Sequence, residues 1–293
     1  RPTFAYWGWR SAGGAPEGPI LSAAAALEFL QACALIHDDV MDGSDTRRGK
    51  PAAHRRLASM HRSHGYLGSP EDFGVGSAIL LGDLCLSWSD ELLMASGLAP
   101  AALEAAKPIF DEMRTELMAG QYLDLLEQVR GDYSLDSALQ VARYKSAKYT
   151  VERPLHIGAA AAGADSAHLE QLTAFGIPLG EAFQLRDDML GVYGDPQETG
   201  KPAGDDLREG KRTALVAIAW ERADAFQRDL LRQHLGDPAI TPSMVDALRN
   251  VITETGAQAA VEQMIDDRTA TCREVIAAMD IDEQTRAAFD RLL

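Results

Sequence analysis

Apolar residues recur every three or four positions along almost the whole chain, a spacing typical of amphipathic α-helices. Alternating β-branched runs, typical of strands, are nearly absent, while Ala, Leu, Glu, Gln, Met and Arg dominate the long periodic segments. The pattern therefore predicts an all-α fold. The predicted helices run roughly over Ile20 to Met41, Ala52 to His64, Asp72 to Ser96, Pro100 to Gln128, Leu135 to Ala162, Ala167 to Val192, Thr213 to Ala223, Ala225 to His234, Pro242 to Thr255, Ala257 to Met279 and Glu283 to Leu292.

Glycine and proline separate these helices, and most of the connections are short. The exception runs from Gly191 to Gly210, a polar segment too long for a routine connection, and we expect it to be functional. The sequence shows no internal repeat and no dividing linker. Residues 1–293 are therefore predicted to form one domain.

The chain is strongly acidic, because 28 Lys and Arg against 44 Asp and Glu give a formal charge of -16. This charge repels nucleic acid and anionic lipid, so neither is predicted as a partner. An anionic substrate would meet the same repulsion. It can bind only where metal ions or clustered Lys and Arg reverse the local field.

Cysteine usage and hydropathy favour a cytoplasmic protein. The three cysteines have no metal-ligand spacing and lie in apolar helical segments, where reduced thiols pack as small hydrophobic groups. The longest apolar stretch, around Ser22 to Ile36, is interrupted by Glu28 and Gln31 and is shorter than the roughly 20 residues that a membrane span needs. No membrane span is therefore predicted.

Two clusters of aspartates each follow an apolar helical segment. Asp38, Asp39 and Asp42 form the first, and positions i and i+4 share a helix face, so Asp38 and Asp42 project side by side. Asp187 and Asp188 form the second. Carboxylates at a helix C-terminus oppose the macrodipole, so a hard divalent cation with oxygen ligands is the expected partner. The alternative for either cluster alone is a solvated helix end.

Basic residues accompany both clusters. Arg47-Arg48-Gly49 follows the first, and the planar guanidinium group suits bidentate contact with a diphosphate. The segment after the second cluster supplies Lys201, Arg208, Lys211 and Arg212, and a third segment contains Lys145 and Lys148. Surface Lys and Arg are usually solvated charges, but here they provide the local reversal of field that an anionic substrate requires.

These motifs resemble those of the trans-type isoprenyl diphosphate synthases, also called polyprenyl synthetases. Asp38-Asp39-Val40-Met41-Asp42 with Arg47-Arg48-Gly49 is similar to that family's first aspartate-rich motif and its arginine tail. The segment from Phe183 to Thr213, FQLRDDMLGVYGDPQETGKPAGDDLREGKRT, is similar to its second motif and the flap that follows. Gly120-Gln121-Tyr122-Leu123-Asp124 and Lys145-Ser146 also fit, so the resemblance spans essentially the whole chain.

The resemblance implies an isoprenoid synthase-type helical bundle around a central cavity, usually a homodimer, with three Mg²⁺ ions. It implies head-to-tail condensation of isopentenyl diphosphate with dimethylallyl, geranyl or farnesyl diphosphate. Asp38, Asp42 and Asp187 would be the principal metal ligands, with Asp39 and Asp188 beside them. The remaining implied site residues are Arg47, Lys145, Lys201 and Lys211 for the allylic diphosphate, Arg48 and Gln31 for isopentenyl diphosphate, and Ser146, Phe183 and Gln184 around the reacting carbons.

The sequence departs from the family pattern at two places. Gly191 stands where some members have a third aspartate of the second motif. The family normally has a Gly-Gly-Lys-Arg stretch before the Arg-Pro that appears here as Arg1-Pro2. The chain begins without Met, directly in core-like sequence, and we expect upstream residues, which would complete the isopentenyl diphosphate site, to be missing.

The product length is expected to depend on residues shortly before the first aspartate cluster. In this family, the side chains four and five residues before the first aspartate often form the floor of the pocket, and here they are Cys33 and Ala34. Both are small, which favours geranylgeranyl diphosphate or a longer product, with Leu30 and Phe29 one turn deeper. The alternative is that Cys33 and Ala34 pack against another helix.

Three other functions compete with prenyl chain elongation. A class I terpene cyclase shares the helical fold and an aspartate motif, but the sequence lacks its Asn, Ser and Glu triad, and the basic residues would be unexplained. A non-catalytic regulatory subunit tends to lose one aspartate motif, whereas both are kept here. A purely structural protein leaves the carboxylates at helix ends without a stabilising partner.

Overall fold

The computed structural model describes residues 1–131, 133–195, 204–237 and 239–293. Within these ranges the chain is almost entirely helical, and the strands are two residues each, Thr46–Arg47 (β1) and Lys50–Pro51 (β2), paired antiparallel. The predicted all-α class is confirmed. The helices, numbered along the chain, are α1 (Pro2–Ser11), α2 (Ile20–Met41), α3 (Ala53–Ser63), α4 (Pro70–Met94), α5 (Pro100–Arg130), α6 (Leu135–Val141), α7 (Arg153–Ala161), α8 (Ser166–Tyr193), α9 (Asp205–Glu209), α10 (Ala214–Arg222), α11 (Ala225–His234), α12 (Pro242–Glu254), α13 (Ala257–Ala278) and α14 (Glu283–Asp290).

Side-chain caps define where several helices begin. The hydroxyl of Ser69 accepts a hydrogen bond from the Asp72 amide at the start of α4, and Asp165 caps α8 in the same way. Asp224 and Gln227 form a capping box at α11. Such caps satisfy amide groups that have no partner inside the helix, so short polar residues there fix the first turn.

A π-helical segment, Ala142–Glu152, lies between α6 and α7. The sequence predicted one uninterrupted helix from Leu135 to Ala162, so this widened stretch is a correction. Two glycines let neighbouring helices approach its backbone. A Cβ at Gly120 of α5 would overlap the backbone of Lys145, and one at Gly180 of α8 would overlap Ala147. Helices α5 and α8 therefore enclose the π-helical segment from two sides.

The core consists of three clusters of buried apolar side chains. One joins α2 to α5, with Leu27, Leu30 and Phe110 fully buried. A second lies between α8 and the helices that follow it, and the third joins the first half of α8 to the C-terminal helices through the stacked rings of Phe175 and Phe289. The aspartate-bearing ends of α2 and α8 are thus held by packed cores.

In the part of the chain that the structure describes, one helix, α2, is long and apolar enough to cross a membrane by length and composition. Its most apolar window has a mean hydropathy of 1.6, and 39% of that window is buried. Core helices of proteins pass the same test. The absence of a membrane span therefore stays a prediction.

Candidate active site

A cavity of about 480 Å³ opens between the C-terminal ends of α2 and α8. Residues from α2, α5, α6, α8 and the π-helical segment border it, together with Arg1 before α1, the β1–β2 hairpin and the segment from α9 to the start of α10. Among the predicted site residues, the cavity is lined by Gln31, Asp38, Arg47, Arg48, Lys145, Ser146, Phe183, Gln184, Asp187, Asp188 and Lys211. Lys201 and the loop residues 196–203 lie outside the described residues.

The first aspartate cluster occupies the last turn of α2. Asp38 accepts hydrogen bonds from Lys145 Nζ and Gln121 Nε2, both at 3.1 Å, and from Arg47 Nη2 at 3.2 Å. Burial opposes ionisation of Asp38, but the charges of these cations and of Lys211 outweigh burial and lower its pKa. Asp38 is therefore ionised at neutral pH.

Arg47 reaches Asp38 because the chain turns back immediately after α2. The turn residues Arg48 and Gly49 both have positive φ, 53° and 71°, as a tight hairpin requires. Arg47 precedes this turn and donates to the buried Asp39 from Nε at 2.9 Å and from Nη2 at 2.6 Å. Both groups donate to the same oxygen, Oδ1, and this charged contact holds the guanidinium group at the rim of the cavity.

Asp42 ends the first cluster in a more buried position. Its side chain is 2% exposed, and its Oδ2 has no hydrogen-bond partner among the described residues, although Lys211 Nζ lies 3.5 Å away. Burial, together with the negative charges of Asp38 and Glu209, raises the pKa of Asp42 to about 6. A buried carboxylate oxygen of this kind favours a nearby cation.

The second cluster lies near the end of α8. Asp188 accepts a hydrogen bond from Gln184 Nε2 at 2.7 Å, and Gln184 in turn accepts one from the hydroxyl of Ser146. Burial and then the negative charges of Asp206 and Asp187 raise the pKa of Asp188 to about 8. The second cluster therefore also has more negative charge than its surroundings neutralise.

Gly191 leaves room for a carboxylate from the neighbouring segment. A Cβ at position 191 would overlap the carboxylate of Asp206, the second residue of α9. The departure from the family motif at Gly191 thus coincides with Asp206 lying against α8. The carboxylate reaches the cavity from α9 instead of from α8.

Lys211 links Asp42 of the first acidic cluster to two carboxylates of α9. Its Nζ lies 2.6 Å from Glu209 and 3.5 Å from both Asp42 and Asp206. Burial lowers the pKa of Lys211, but the surrounding carboxylates outweigh burial and raise it well above its usual value. Lys145 has the same balance, since Asp124 at 2.6 Å and Asp38 raise its pKa despite burial.

The donor set suits a hard cation, although no complete metal site is preassembled. Within the described ranges, no three His, Cys, Asp or Glu residues are grouped closely enough to hold an ion. In the cavity lining, Asp and Glu slightly outnumber Lys and Arg. Oδ2 of Asp42 has no hydrogen-bond partner among the described residues. Mg²⁺ is usually held by one or two carboxylates and completed by substrate phosphates, so the residues fit such an ion.

Comparisons with known proteins agree with this geometry. The family model described as polyprenyl synthetase matches residues 3–252. The chain belongs to the polyprenyl synthetase family. The family and the fold predicted from the sequence are therefore confirmed.

Three similar proteins show how far the similarity extends. A geranylgeranyl pyrophosphate synthase of Corynebacterium glutamicum, complexed with isoprenyl diphosphate and magnesium, superimposes with a TM-score of 0.96 at 42% identity, over 99% of this chain and 84% of that one. A geranylgeranyl diphosphate synthase of Mycobacterium tuberculosis is 31% identical over 87% of this chain and 68% of its own length. A geranylfarnesyl diphosphate synthase of Natronomonas pharaonis is 35% identical over 70% of this chain, which spans 55% of that relative.

Sequence reasoning assigned no role to Arg1, which this polyprenyl synthetase family member places in the cavity wall. Its Nη2 donates to the Thr150 hydroxyl at 2.8 Å, and its guanidinium carbon lies 4.3 Å from the Tyr149 ring centroid. Tyr149 donates to Gln31 at 2.9 Å. Arg48 also borders this part of the cavity. The Arg-Pro pair in the family motif was the available signal for Arg1.

Other lining residues were assigned no role from the sequence because their positions depend on packing. Leu35, Asp124 and Glu127 border the cavity, and Asp206 reaches it from α9. Asp124 belongs to the Gly-Gln segment noted in the sequence, but its ion pair with Lys145 depends on how α5 packs against the π-helical segment. No sequence pattern distinguishes it from an exposed carboxylate.

The predicted chain-length residues occupy different sides of α2. Gln31, Leu35 and Asp38 define the face that borders the cavity, and Ala34 belongs to that face by helical spacing. Cys33 is buried, with its Sγ 3.8 Å from Nδ1 of His37, and Leu30 is fully buried in the core. Neither Cys33 nor Leu30 borders the described cavity. Their role in product length stays a prediction.

Proposed function

We propose that this protein catalyses the Mg²⁺-dependent, head-to-tail condensation of isopentenyl diphosphate with an allylic diphosphate. The product is a linear prenyl diphosphate, geranylgeranyl diphosphate or a longer homologue. Family membership and the names of the relatives, which are farnesyl, geranylgeranyl and geranylfarnesyl diphosphate synthases, support this prenyltransferase activity. The observation that carries the proposal is a cavity lined both by Asp38, near the end of α2, and by Asp187 and Asp188, near the end of α8, together with Arg47, Lys145 and Lys211.

The two aspartate clusters are proposed to hold the metal ions. Asp38, Asp42 and Asp187 are the principal ligands, with three ions when the allylic diphosphate is bound. When bound, Mg²⁺ supplies positive charge that stabilises the departing diphosphate. Asp42 suits this role because its buried oxygen is unbonded among the described residues.

The cations at the rim are proposed to orient the allylic diphosphate. Arg47 and Lys145 are both held by Asp38, at 3.2 and 3.1 Å. A diphosphate entering between the clusters exchanges these internal ion pairs for contacts with phosphate oxygens. Their positive charge then lies where negative charge develops as the allylic carbon–oxygen bond breaks.

Polar groups from two helices border the reacting carbons in the proposed mechanism. Ser146 donates to the side-chain oxygen of Gln184, and Phe183 lies beside them at the cavity wall. Oxygen dipoles and an aromatic face favour the positive charge that develops on the allylic carbons. The alkene of isopentenyl diphosphate attacks that carbon, and the proton that is lost passes to the released diphosphate.

Isopentenyl diphosphate is proposed to bind at the wall formed by Arg1, Arg48 and Gln31. Arg1 and Arg48 supply two guanidinium groups, and Gln31 is held by its hydrogen bond with Tyr149. Guanidinium groups suit a diphosphate because they offer paired donors in a plane. Arg47 and Lys145, which pair with Asp38, are separate from these residues and remain for the allylic diphosphate.

A second copy of the chain is proposed to cover an apolar surface formed by α2 and α4. Phe29 and Trp88 meet edge to face there, with ring centroids 5.8 Å apart. Further exposed apolar side chains on α4 include Phe73, Ile79, Leu80, Leu84 and Met94. Exposed apolar side chains in this number on neighbouring helices favour a protein interface. The homodimer and a cytoplasmic location both belong to this proposal.

The dimer is tested by light scattering after size-exclusion chromatography. Leu80→Glu places a charge on the α2/α4 surface and is expected to give a monomer. Val129→Glu changes an equally exposed apolar residue on α5, away from that surface, and is expected to leave the dimer intact. A wild-type monomer, or a dimer unaffected by Leu80→Glu, would contradict the assignment.

Product analysis tests the activity. The protein is incubated with Mg²⁺ and isopentenyl diphosphate, in separate reactions with dimethylallyl, geranyl and farnesyl diphosphates, and the dephosphorylated products are sized. Linear prenyl alcohols that disappear with EDTA are expected. Cyclic hydrocarbons would support a terpene cyclase instead, and no product from any primer would contradict a self-sufficient synthase.

A further inference from the structure

A second cationic group borders the cavity beside Lys211, and the proposed function gives it no role. Arg212 follows Lys211 and lies just before α10, with its side chain at the cavity wall. Its Nε and Nη1 atoms are buried, and neither has a hydrogen-bond partner among the residues that the structure describes. A buried guanidinium N–H without an acceptor is unfavourable, so the protein gains stability when a ligand supplies one.

An aromatic stack holds the Arg212 guanidinium group in place. Its central carbon lies 4.2 Å from the centroid of the Tyr133 ring, within cation–π distance. Tyr133 stacks on Trp220 of α10, with centroids 3.9 Å apart and ring planes 7° from parallel. The ring thus lies against the guanidinium group, while Nε and Nη1 have no acceptor among the described residues. Guanidinium N–H groups are strong donors to phosphate oxygens.

Thr213 adds a second unbonded polar group at the same wall. It is the N-cap residue of the nine-residue helix α10, yet its side chain makes no capping hydrogen bond. Its Oγ1 is buried and has no hydrogen-bond partner within the described part of the chain. The amide groups and dipole of a helix N-terminus favour an anion, and here they act together with the Arg212 charge.

We propose that Arg212 and Thr213 form a phosphate-binding subsite for the allylic diphosphate, adjoining Lys211. The inference rests on the proposed function and extends its diphosphate site to two further residues. Lys211 already contacts Asp42 at the end of α2 and Asp206 of α9. Arg212 and Thr213 are the next two residues of the chain and also line the cavity, so a diphosphate that contacts Lys211 lies beside them. Arg1 and Arg48 remain available to the second substrate.

Calorimetric titration of the whole protein with inorganic pyrophosphate and Mg²⁺ tests the subsite. Arg212→Met keeps the length and apolar contact of the side chain but removes the charge. Its Kd for pyrophosphate is expected to rise about tenfold to a hundredfold, the value of a lost charged hydrogen bond. Arg212→Lys keeps the charge without the paired donors and should fall between Arg212→Met and the wild type.

Thermal melting without ligand separates binding from packing. Because Arg212→Met removes buried donors without acceptors, its melting temperature should equal or exceed that of the wild type. A role confined to packing on Tyr133 predicts the opposite: a lower melting temperature with an unchanged Kd for pyrophosphate. That result in Arg212→Met and Arg212→Lys would overturn the inference.

Arg232→Ala is the matched control. Arg232 also lies against the stack, 5.4 Å from the Trp220 ring centroid, but its side chain is 62% exposed and paired with Asp229 at 2.6 Å. This variant should bind pyrophosphate like the wild type.

Prenyl transfer measured with the same wild-type preparation separates the two proposals. Linear product together with an unchanged Kd in Arg212→Met overturns the subsite alone, whereas absence of product overturns the proposed function.

Discussion

Replacing Lys211 with methionine removes the cation that links Asp42 of the first acidic cluster to the carboxylates of α9. The lysine lies 3.5 Å from Asp42 and Asp206 and 2.6 Å from Glu209. In the part of the chain that the structure describes, Lys211 is the partner within ion-pair distance of Asp42. Methionine has a similar length and no charge, so the change isolates the electrostatic contribution.

The expected loss of stability follows from the burial of these partners. Removing one member of a buried ion pair destabilises a protein by about 3 to 5 kcal/mol. We take the lower end, about 3 kcal/mol, because the Lys211 side chain is still 18% exposed to the cavity. For a chain of this size that corresponds to a decrease in melting temperature of about 6 to 12 °C.

Mg²⁺ should reverse part of this loss. The variant leaves a denser group of carboxylates, which binds a divalent cation more tightly than the wild-type site does. A ligand that binds only the folded protein at a hundred times its Kd stabilises it by about 2.7 kcal/mol. The melting temperature of Lys211→Met should therefore rise with added Mg²⁺ by more than that of the wild type.

Thermal melting with and without Mg²⁺ measures both effects, and prenyl transfer measures the accompanying loss of kcat/KM, expected to be about 10²- to 10³-fold. Lys107→Met is the matched control, since Lys107 also contacts two aspartates, Asp111 at 2.7 Å and Asp90 at 3.4 Å, but lies outside the cavity. Lys107→Met should lower the free energy of unfolding by less than about 1 kcal/mol. A Lys211→Met protein as stable as the wild type, with an identical response to Mg²⁺, would refute the bridging role.

Three further predictions concern other parts of the molecule. Burial lowers the pKa of His156 to about 4, so the unfolded chain takes up a proton near pH 6.5 that the folded chain excludes. The contribution of His156 to stability should be constant above about pH 7 and fall by about 2 to 3 kcal/mol as the pH decreases to 4.5. Urea denaturation isolates this contribution as the difference between the wild type and His156→Gln, and equal pH profiles for the two proteins would argue against the assignment. Gly191→Ala places a methyl group against Asp206 and should lower the free energy of unfolding by about 1 to 3 kcal/mol, whereas an unchanged urea midpoint would show that Asp206 moves freely. Ala34→Phe should shorten the prenyl product, and an unaltered product length would show that Ala34 does not form the cavity floor. Cys33→Phe should overpack the buried site beside His37 and reduce stability by about 1 to 3 kcal/mol.

Most helix boundaries could be predicted from sequence because caps and breakers act locally. Helices α2 and α11 begin and end where the pattern predicts. Helix α1 was not predicted, since its aromatic residues and Gly8 are weak helix formers. Its conformation depends on a close crossing with α7, where Gly8 and Gly158 allow the backbones to meet. Tertiary packing of this kind leaves no periodic signal in a ten-residue segment.

The π-helical segment shows a second limit of local reasoning. The sequence indicates weakened helix near Lys145 to Thr150, because Ser146 and Thr150 compete for backbone hydrogen bonds. The widened geometry itself depends on the approach of Gly120 and Gly180 from two other helices. A single-helix prediction was therefore reasonable but wrong in detail.

The aspartate clusters could be predicted because i and i+4 spacing fixes their common face. The bridging position of Lys211 could not, since it depends on how the chain returns after α9. Gly210 has a φ of 76°, and Gly236 donates to the carbonyl of Leu207 at 2.9 Å. These contacts fold the segment back toward α2, and they join residues that are distant in sequence.

The central claim is that both aspartate clusters bind one diphosphate together through metal ions. Calorimetric titration with dimethylallyl diphosphate in the presence of Mg²⁺ tests it in the wild type, Asp38→Asn, Asp187→Asn and the double variant. If the clusters act as one site, each single change should remove most of the binding free energy, and the double change should add little to either. Additive losses, or binding that persists in EDTA, would contradict the account.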